Sequence, residues 1–226
     1  MQPEARSMKR IAVLVSGRGS NLQALLDAVA AGTLDGEVVG VFSDRPGAVA
    51  LQRVDHARRW SRDARLHASR DAFDAELADA VADSTPDLVV CAGYLRILGL
   101  AFVERFRGRL INIHPSLLPK YRGLRTHARA LEAGEREHGA SVHFVTPELD
   151  AGAVIAQATV PVLDGDTADS LARRVLQAEH PLLVAVTRLA LSGRLAEHAA
   201  TVLLDGHPLF TPLRLTSTGM LSEETA

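Results

Sequence analysis

The chain predicts an α/β fold: a single domain with a Rossmann-like, mainly parallel sheet, helices on both faces and an antiparallel extension in the C-terminal half. Three observations predict it. The apolar run Ile11–Val15 is followed by the glycine turn Ser16-Gly17-Arg18-Gly19-Ser20-Asn21 and then by Leu22, Leu25, Leu26 and Val29 at helical spacing, the opening of an α/β unit. Apolar runs of strand length then alternate with helix-like stretches. In the second half, two strand-like runs follow each other with only a Pro/Gly-containing loop between them.

Val38–Phe42 reads as the second strand. Gly47 to Arg59 and Asp71 to Ala82 read as helices, and Leu88–Ala92 as a strand entered from Thr85-Pro86-Asp87. Leu100 to Phe106 is short and helix-like, and Leu110–Ile113 is the next strand. Val142–Val145 and Val154–Val160 are expected to pair antiparallel and extend the sheet at one side. A long helix is expected from about Thr167 to Leu191, with Asp164, Asp166 and Thr167 as capping residues and Leu171, Val175 and Leu176 on its apolar face. Pro181 predicts a kink or break after His180, because it lacks the amide that the helix ladder uses. Residues 1–8 read as a disordered leader, 9–210 as the catalytic domain and 211–226 as a flexible tail.

Composition narrows the function. Apolar residues make up 47% and charged residues 23%, and the net charge is -2, so neither nucleic acid nor a membrane surface is expected as a partner. Lys9 and Lys120 are the only lysines. Cys91, the single cysteine, sits in an apolar stretch, which excludes an intrachain disulfide and predicts a cytoplasmic protein. No apolar run approaches the length of a membrane span. The histidines lack the spacing of a metal site, and none is expected.

The chemistry concentrates in Asn112-Ile113-His114-Pro115-Ser116-Leu117-Leu118-Pro119. On a strand, Asn112 and His114 point to one face, so a carboxamide donor and a proton carrier converge on one spot. That pairing suits acyl transfer, in which a carbonyl oxygen gains charge while a leaving amine needs a proton. Asp150, in the loop Thr146-Pro147-Glu148-Leu149-Asp150-Ala151-Gly152, can orient and charge-stabilise His114 if that loop folds back. The turn at Gly17 to Asn21 offers amides and a helix N-terminus to an anion. It lacks the ending of a nucleotide P-loop and the third glycine of a dinucleotide fingerprint, which favours a monophosphate; a tight strand–helix turn capped by Ser20 accounts for the same residues equally well. His143 shares a strand face with Ser141, and either an approach to the site or a structural role fits it.

Taken in order, several stretches make the chain resemble the phosphoribosylglycinamide formyltransferases, folate-dependent enzymes of purine synthesis. They are Ser16 to Asn21, Ala92 to Leu98, Asn112 to Tyr121, His138 to Val145, Glu148-Leu149-Asp150 and Glu179-His180. The resemblance covers roughly residues 9 to 207. It implies that Asn112, His114 and Asp150 are catalytic and that Gly19, Ser20, Asn21 and Glu179 hold the ribonucleotide. It also implies that Arg70, Leu95, Arg96, Ile97, Leu98, Thr146, Pro147, Glu148, Leu149, Asp150 and Asn112 bind 10-formyltetrahydrofolate. The implied enzyme takes small-molecule substrates, needs no metal and is a monomer or homodimer. Leu95 stands where a methionine is common, and Arg122 and Arg125 replace an expected proline and histidine, which puts the shape of that loop in question. The alternatives are another formyl-folate enzyme, a hydrolase or one with a different amine acceptor, and a non-enzymatic nucleotide-binding module.

Overall fold

Nine strands form one sheet in the computed structural model, which describes residues 8–223. The expected leader, residues 1–8, falls almost wholly outside the described residues. In chain order the first half holds β1 (Arg10–Val15), α1 (Ser20–Ala30), β2 (Glu37–Ser43), β3 (Arg59–Ser61), α2 (Arg70–Asp83), β4 (Leu88–Cys91), α3 (Leu100–Arg105) and β5 (Leu110–His114). The second half adds α4 (Thr126–Glu132), β6 (Glu137–Phe144), β7 (Val154–Pro161), α5 (Ala168–Leu191), β8 (Leu195–His198), β9 (Thr201–Leu204), β10 (His207–Pro208), β11 (Leu213–Leu215) and β12 (Leu221–Ser222). The sheet order is β12-β11-β7-β6-β5-β4-β1-β2-β3, and β10-β9-β8 form a separate small sheet.

From β3 to β5 neighbouring strands run parallel; β6 and β7 reverse direction in turn, giving the expected antiparallel extension. Alternation along β1 divides the core. Ile11, Val13 and Val15 face the layer containing α1 and α5, and Ala12 and Leu14 face the layer with Phe73, Leu77 and Phe102 of α2 and α3. Both faces of the central strands are therefore buried, which explains their unbroken apolar runs.

Three expectations are corrected. Gly47 to Arg59 is not an α-helix but two short 3-10 turns, Val49–Arg53 and His56–Arg58, leading into β3. Val54 is extended between them (φ -129°), and Arg59 caps the break by donating to the Val54 carbonyl, so the apolar residues are buried without a continuous helix. Next, of the kink or break expected after His180, the break does not occur: α5 continues through Pro181, because Leu182, Leu183 and Val186 beyond it are buried in the core and hold the helix to the sheet. Finally, residues 211–223 are not simply a tail: β11 pairs with β7, β12 pairs with β11, and Leu213 is buried. The long helix starts as expected at Thr167, whose hydroxyl forms a reciprocal capping box with Ser170.

Candidate functional site

The direction change between β5 and β6 builds the centre of the site. Asn112 pairs across the strands with His143, and His114 with Ser141, so four polar side chains occupy one face of two adjacent strands. The loop after β6 then folds back over them. Asp150 adopts a left-handed conformation (φ 48°) and brings Oδ2 to 3.3 Å from His114 Nδ1 and Oδ1 to 3.7 Å from His143 Nε2. The Gly123 amide donates to Asp150 Oδ2 at 2.8 Å. Gly152 lets the loop close, since a Cβ there would sit 1.8 Å from the Phe144 carbonyl oxygen.

His114 is 6% exposed and its Nε2 faces the Tyr121 carbonyl at 3.0 Å. Burial pushes its pKa below the ordinary value, while the Tyr121 carbonyl and the Asp150 carboxylate pull the other way. Both neighbours are acceptors, so a second proton on the ring finds a partner. For Asp150 burial acts to raise the pKa, but the opposing pull of His114 and the Gly123 amide helps to hold the carboxyl below its usual value. The Pro-rich run after His114 is pinned from beneath. Ser141 Oγ accepts from the Leu118 amide (3.0 Å) and donates to the Ser116 carbonyl (2.7 Å), while Gln157 Nε2 donates to the Leu118 carbonyl (2.8 Å).

The glycine turn stands at the other end of the site. Gly19 is the N-cap of α1 with φ 74°, and a Cβ there would meet Ala50 Cβ at 2.5 Å. No side chain caps this helix; Ser20 is its first residue and not its cap, which corrects that alternative. Arg53 braces the turn through its Nε on the Arg18 carbonyl. Asn21 is buried and donates from Nδ2 to Glu179 Oε2 at 2.7 Å, while its Oδ1 has no partner. Burial raises the Glu179 pKa against the opposing pull of Asn21.

A cavity of about 510 Å³ connects these groups. Asn21 and Glu179 line it together with Asn112, His114 and Asp150. Leu95, Arg96, Ile97, Leu98, Thr146, Glu148 and Leu149 also line it; Gly19, Ser20, Arg70 and Pro147 do not. Arg70 is instead the first residue of α2, with Nε 3.7 Å from Asp71. The loop from Gly93 to Gly99 is tied at both ends: Leu95 N donates to Ser16 Oγ (2.9 Å), itself bonded to Asp44, and Gly99 N donates to Asp74 Oδ2 (2.7 Å). Leu95, Ile97 and Leu149 are about half exposed within the cavity wall, apolar surface that a flat ring system would cover. Tyr94, Leu124, Arg125 and His127 line the cavity too and were missed by sequence reasoning. Only their place beside the recognised motifs could have flagged them. Arg122, whose effect on the loop was in question, reaches across to Glu148 (3.0 Å), and Arg125 is the left-handed N-cap of α4.

Among the described residues, no three His, Cys, Asp or Glu side chains are grouped to hold a metal ion, and no helix is long and apolar enough to cross a membrane.

The chain is 49% identical over 201 residues to the phosphoribosylglycinamide formyltransferase of Escherichia coli, spanning 88% of this chain and 95% of that protein. The phosphoribosylglycinamide formyltransferase structure from Coxiella burnetii superposes with a TM-score of 0.84 at 45% identity, covering 90% of this chain and 96% of that one. Glycinamide ribonucleotide transformylase 1 of Symbiobacterium toebii gives a TM-score of 0.84 at 44% identity, covering 87% and 94%. The sequence profile described as formyl transferase matches residues 9–187, and with the fold and these relatives it shows that the chain belongs to the formyl transferase family.

Proposed function

We propose that this protein transfers the formyl group of 10-formyltetrahydrofolate to the amine of 5-phosphoribosylglycinamide, giving formylglycinamide ribonucleotide and tetrahydrofolate in purine synthesis. The observation that carries the reading is the convergence of Asn112, His114 and Asp150 in one cavity. An apolar wall, Leu95 to Leu98 with Leu149, lies on one side, and the Asn21–Glu179 pair on the other.

Asn112 donates to the formyl oxygen as the amine nitrogen bonds to the formyl carbon, and His114 donates to the same oxygen or to the departing N10. The bond from carbon to N10 then breaks, N10 takes a proton through His114, and the proton lost by the amine is accepted by the Asp150–His114 pair. Asp150 favours the charged ring while that transfer occurs. Leu95, Arg96, Ile97 and Leu98, with Thr146, Glu148, Leu149 and Asp150, hold the folate and exclude bulk water. Gly19, Ser20 and Asn21 hold the phosphate, and Glu179 the ribose side. The catalytic domain, which takes in β11 and β12, is that of a cytoplasmic enzyme acting on small molecules, as monomer or homodimer, without nucleic acid, membrane or metal.

The test is formyl transfer to glycinamide ribonucleotide followed by tetrahydrofolate release. Transfer with a strict requirement for the amine supports the reading; release of formate without acceptor would replace it with a hydrolase.

A further inference from the structure

His143 has no part in the chemistry above, yet its ring is the hydrogen-bond partner of the Asn112 carboxamide. The two residues are direct cross-strand partners on β5 and β6, and the ladder between β6 and β7 shifts register between Val142 and His143. Such an irregularity re-aims the side chain that follows it. His143 Nδ1 lies 2.7 Å from the Phe144 carbonyl oxygen, and its Nε2 lies 3.1 Å from Asn112 Nδ2.

A carbonyl oxygen can only accept, so the proton of the neutral imidazole belongs on Nδ1. Nε2 then carries a lone pair. Against a lone pair, the carboxamide must present nitrogen and not oxygen, because the reverse would set two acceptors together in a site where His143 is 2% exposed. One hydrogen of Asn112 Nδ2 is thereby spent on His143. The other is left to the cavity that both residues line. Asp150 Oδ1, 3.7 Å from the same Nε2, is beyond hydrogen-bond range of it.

We infer that His143 is a positioning residue for the reaction: held as its Nδ1–H tautomer by the Phe144 carbonyl, it fixes the Asn112 carboxamide with an N–H donor, and not the oxygen, turned toward the reacting carbonyl. The inference rests on the assignment of Asn112 as oxyanion donor. It adds that an asparagine alone does not suffice, since an unrestrained carboxamide presents its acceptor edge as readily as its donor edge.

Two measurements test it. The nitrogen shifts of the His143 ring in the wild-type protein at neutral pH should show a protonated Nδ1 and a bare Nε2; a protonated Nε2 overturns the inference whatever the activity. A double-mutant cycle then compares Asn112→Ala, His143→Phe and the pair in steady-state formyl transfer. His143→Phe should lower kcat by about tenfold or more with both KM values nearly unchanged, and should cost nothing further once Asn112 is alanine. Equal cost in both backgrounds would show that His143 acts elsewhere and overturns the inference. Full activity of Asn112→Ala would instead overturn the oxyanion assignment, while the ring shifts still report on the tautomer. Should His143→Phe not fold, the ring shifts decide alone.

Discussion

Asp150 Oδ2 lies 3.3 Å from His114 Nδ1 while it accepts from the backbone amide of Gly123 at 2.8 Å. The carboxylate is therefore oriented by the chain before any substrate arrives, and the imidazole meets a fixed charge.

Replacing Asp150 by Asn should leave this scaffold standing, since asparagine tolerates the left-handed backbone and its oxygen can still accept from Gly123. The negative charge is what disappears. Burial already depresses the His114 pKa and Asp150 opposes that, so the mutant ring should titrate at still lower pH, with activity reduced by about a hundredfold or more. NMR titration of His114 in both proteins checks it; an unchanged ring pKa would remove Asp150 as the electrostatic partner.

Asn112→Ala and His114→Ala should each cut turnover by about a hundredfold or more, the scale for losing an oxyanion donor or a general acid. Circular dichroism should show an intact fold. Near-normal turnover of either folded variant would refute the roles proposed for them.

Gly19→Ala should weaken ribonucleotide binding far more than folate binding. The new Cβ would meet Ala50 and oppose a φ of 74°, which displaces the turn at the head of α1 while leaving the Leu95–Leu98 wall untouched. Calorimetry with each ligand separately measures the contrast. Equal losses would mean one shared subsite.

His138 supplies an acid-stability prediction. It is almost fully buried, and burial together with the neighbouring His127 lowers its pKa from 6.5 to about 4. The unfolded chain takes up this proton below about pH 6.5 while the folded chain resists until about pH 4, so folding stability should fall across that window. The loss is on the order of 3 kcal/mol. Urea denaturation at a series of pH values should show that slope, and it should flatten in His138→Phe even if that variant is less stable throughout.

Arg122→Ala should change stability by less than about 1 kcal/mol, because its pairing with Glu148 is solvent-exposed on both sides. A larger drop in urea midpoint would show that the two loops depend on this contact.

The parts legible in sequence were those governed by local pattern. Ile11–Val15 with its glycine turn, and the Asn112/His114 spacing, carry their geometry in periods of two and 3.6 residues. Asp150 was placed correctly because its loop is short and its neighbours are strands. Two of the failures share a cause. Val49–Arg59 buries Ala50 and Leu51 with helix-like spacing but follows the sheet edge at β3, and β11 exists only because β7, some fifty residues earlier, offers it an edge. Pairing partners remote in sequence leave no local mark. Arg70, assigned by resemblance alone, lies outside the cavity lining as do Gly19, Ser20 and Pro147, so no local pattern or lining contact carries its role.

The anchoring of the segment after His114 divides the site into two mechanical classes. Ser116 and Leu118 are tied through Ser141 and Gln157 to β6 and β7, whereas residues 122–125 are held by the facing loop and by Arg129 of α4. Substitutions on the rim, as at Arg122 and Arg125, should thus be tolerated more readily than substitutions at the bond-making centre, which is rooted in the sheet.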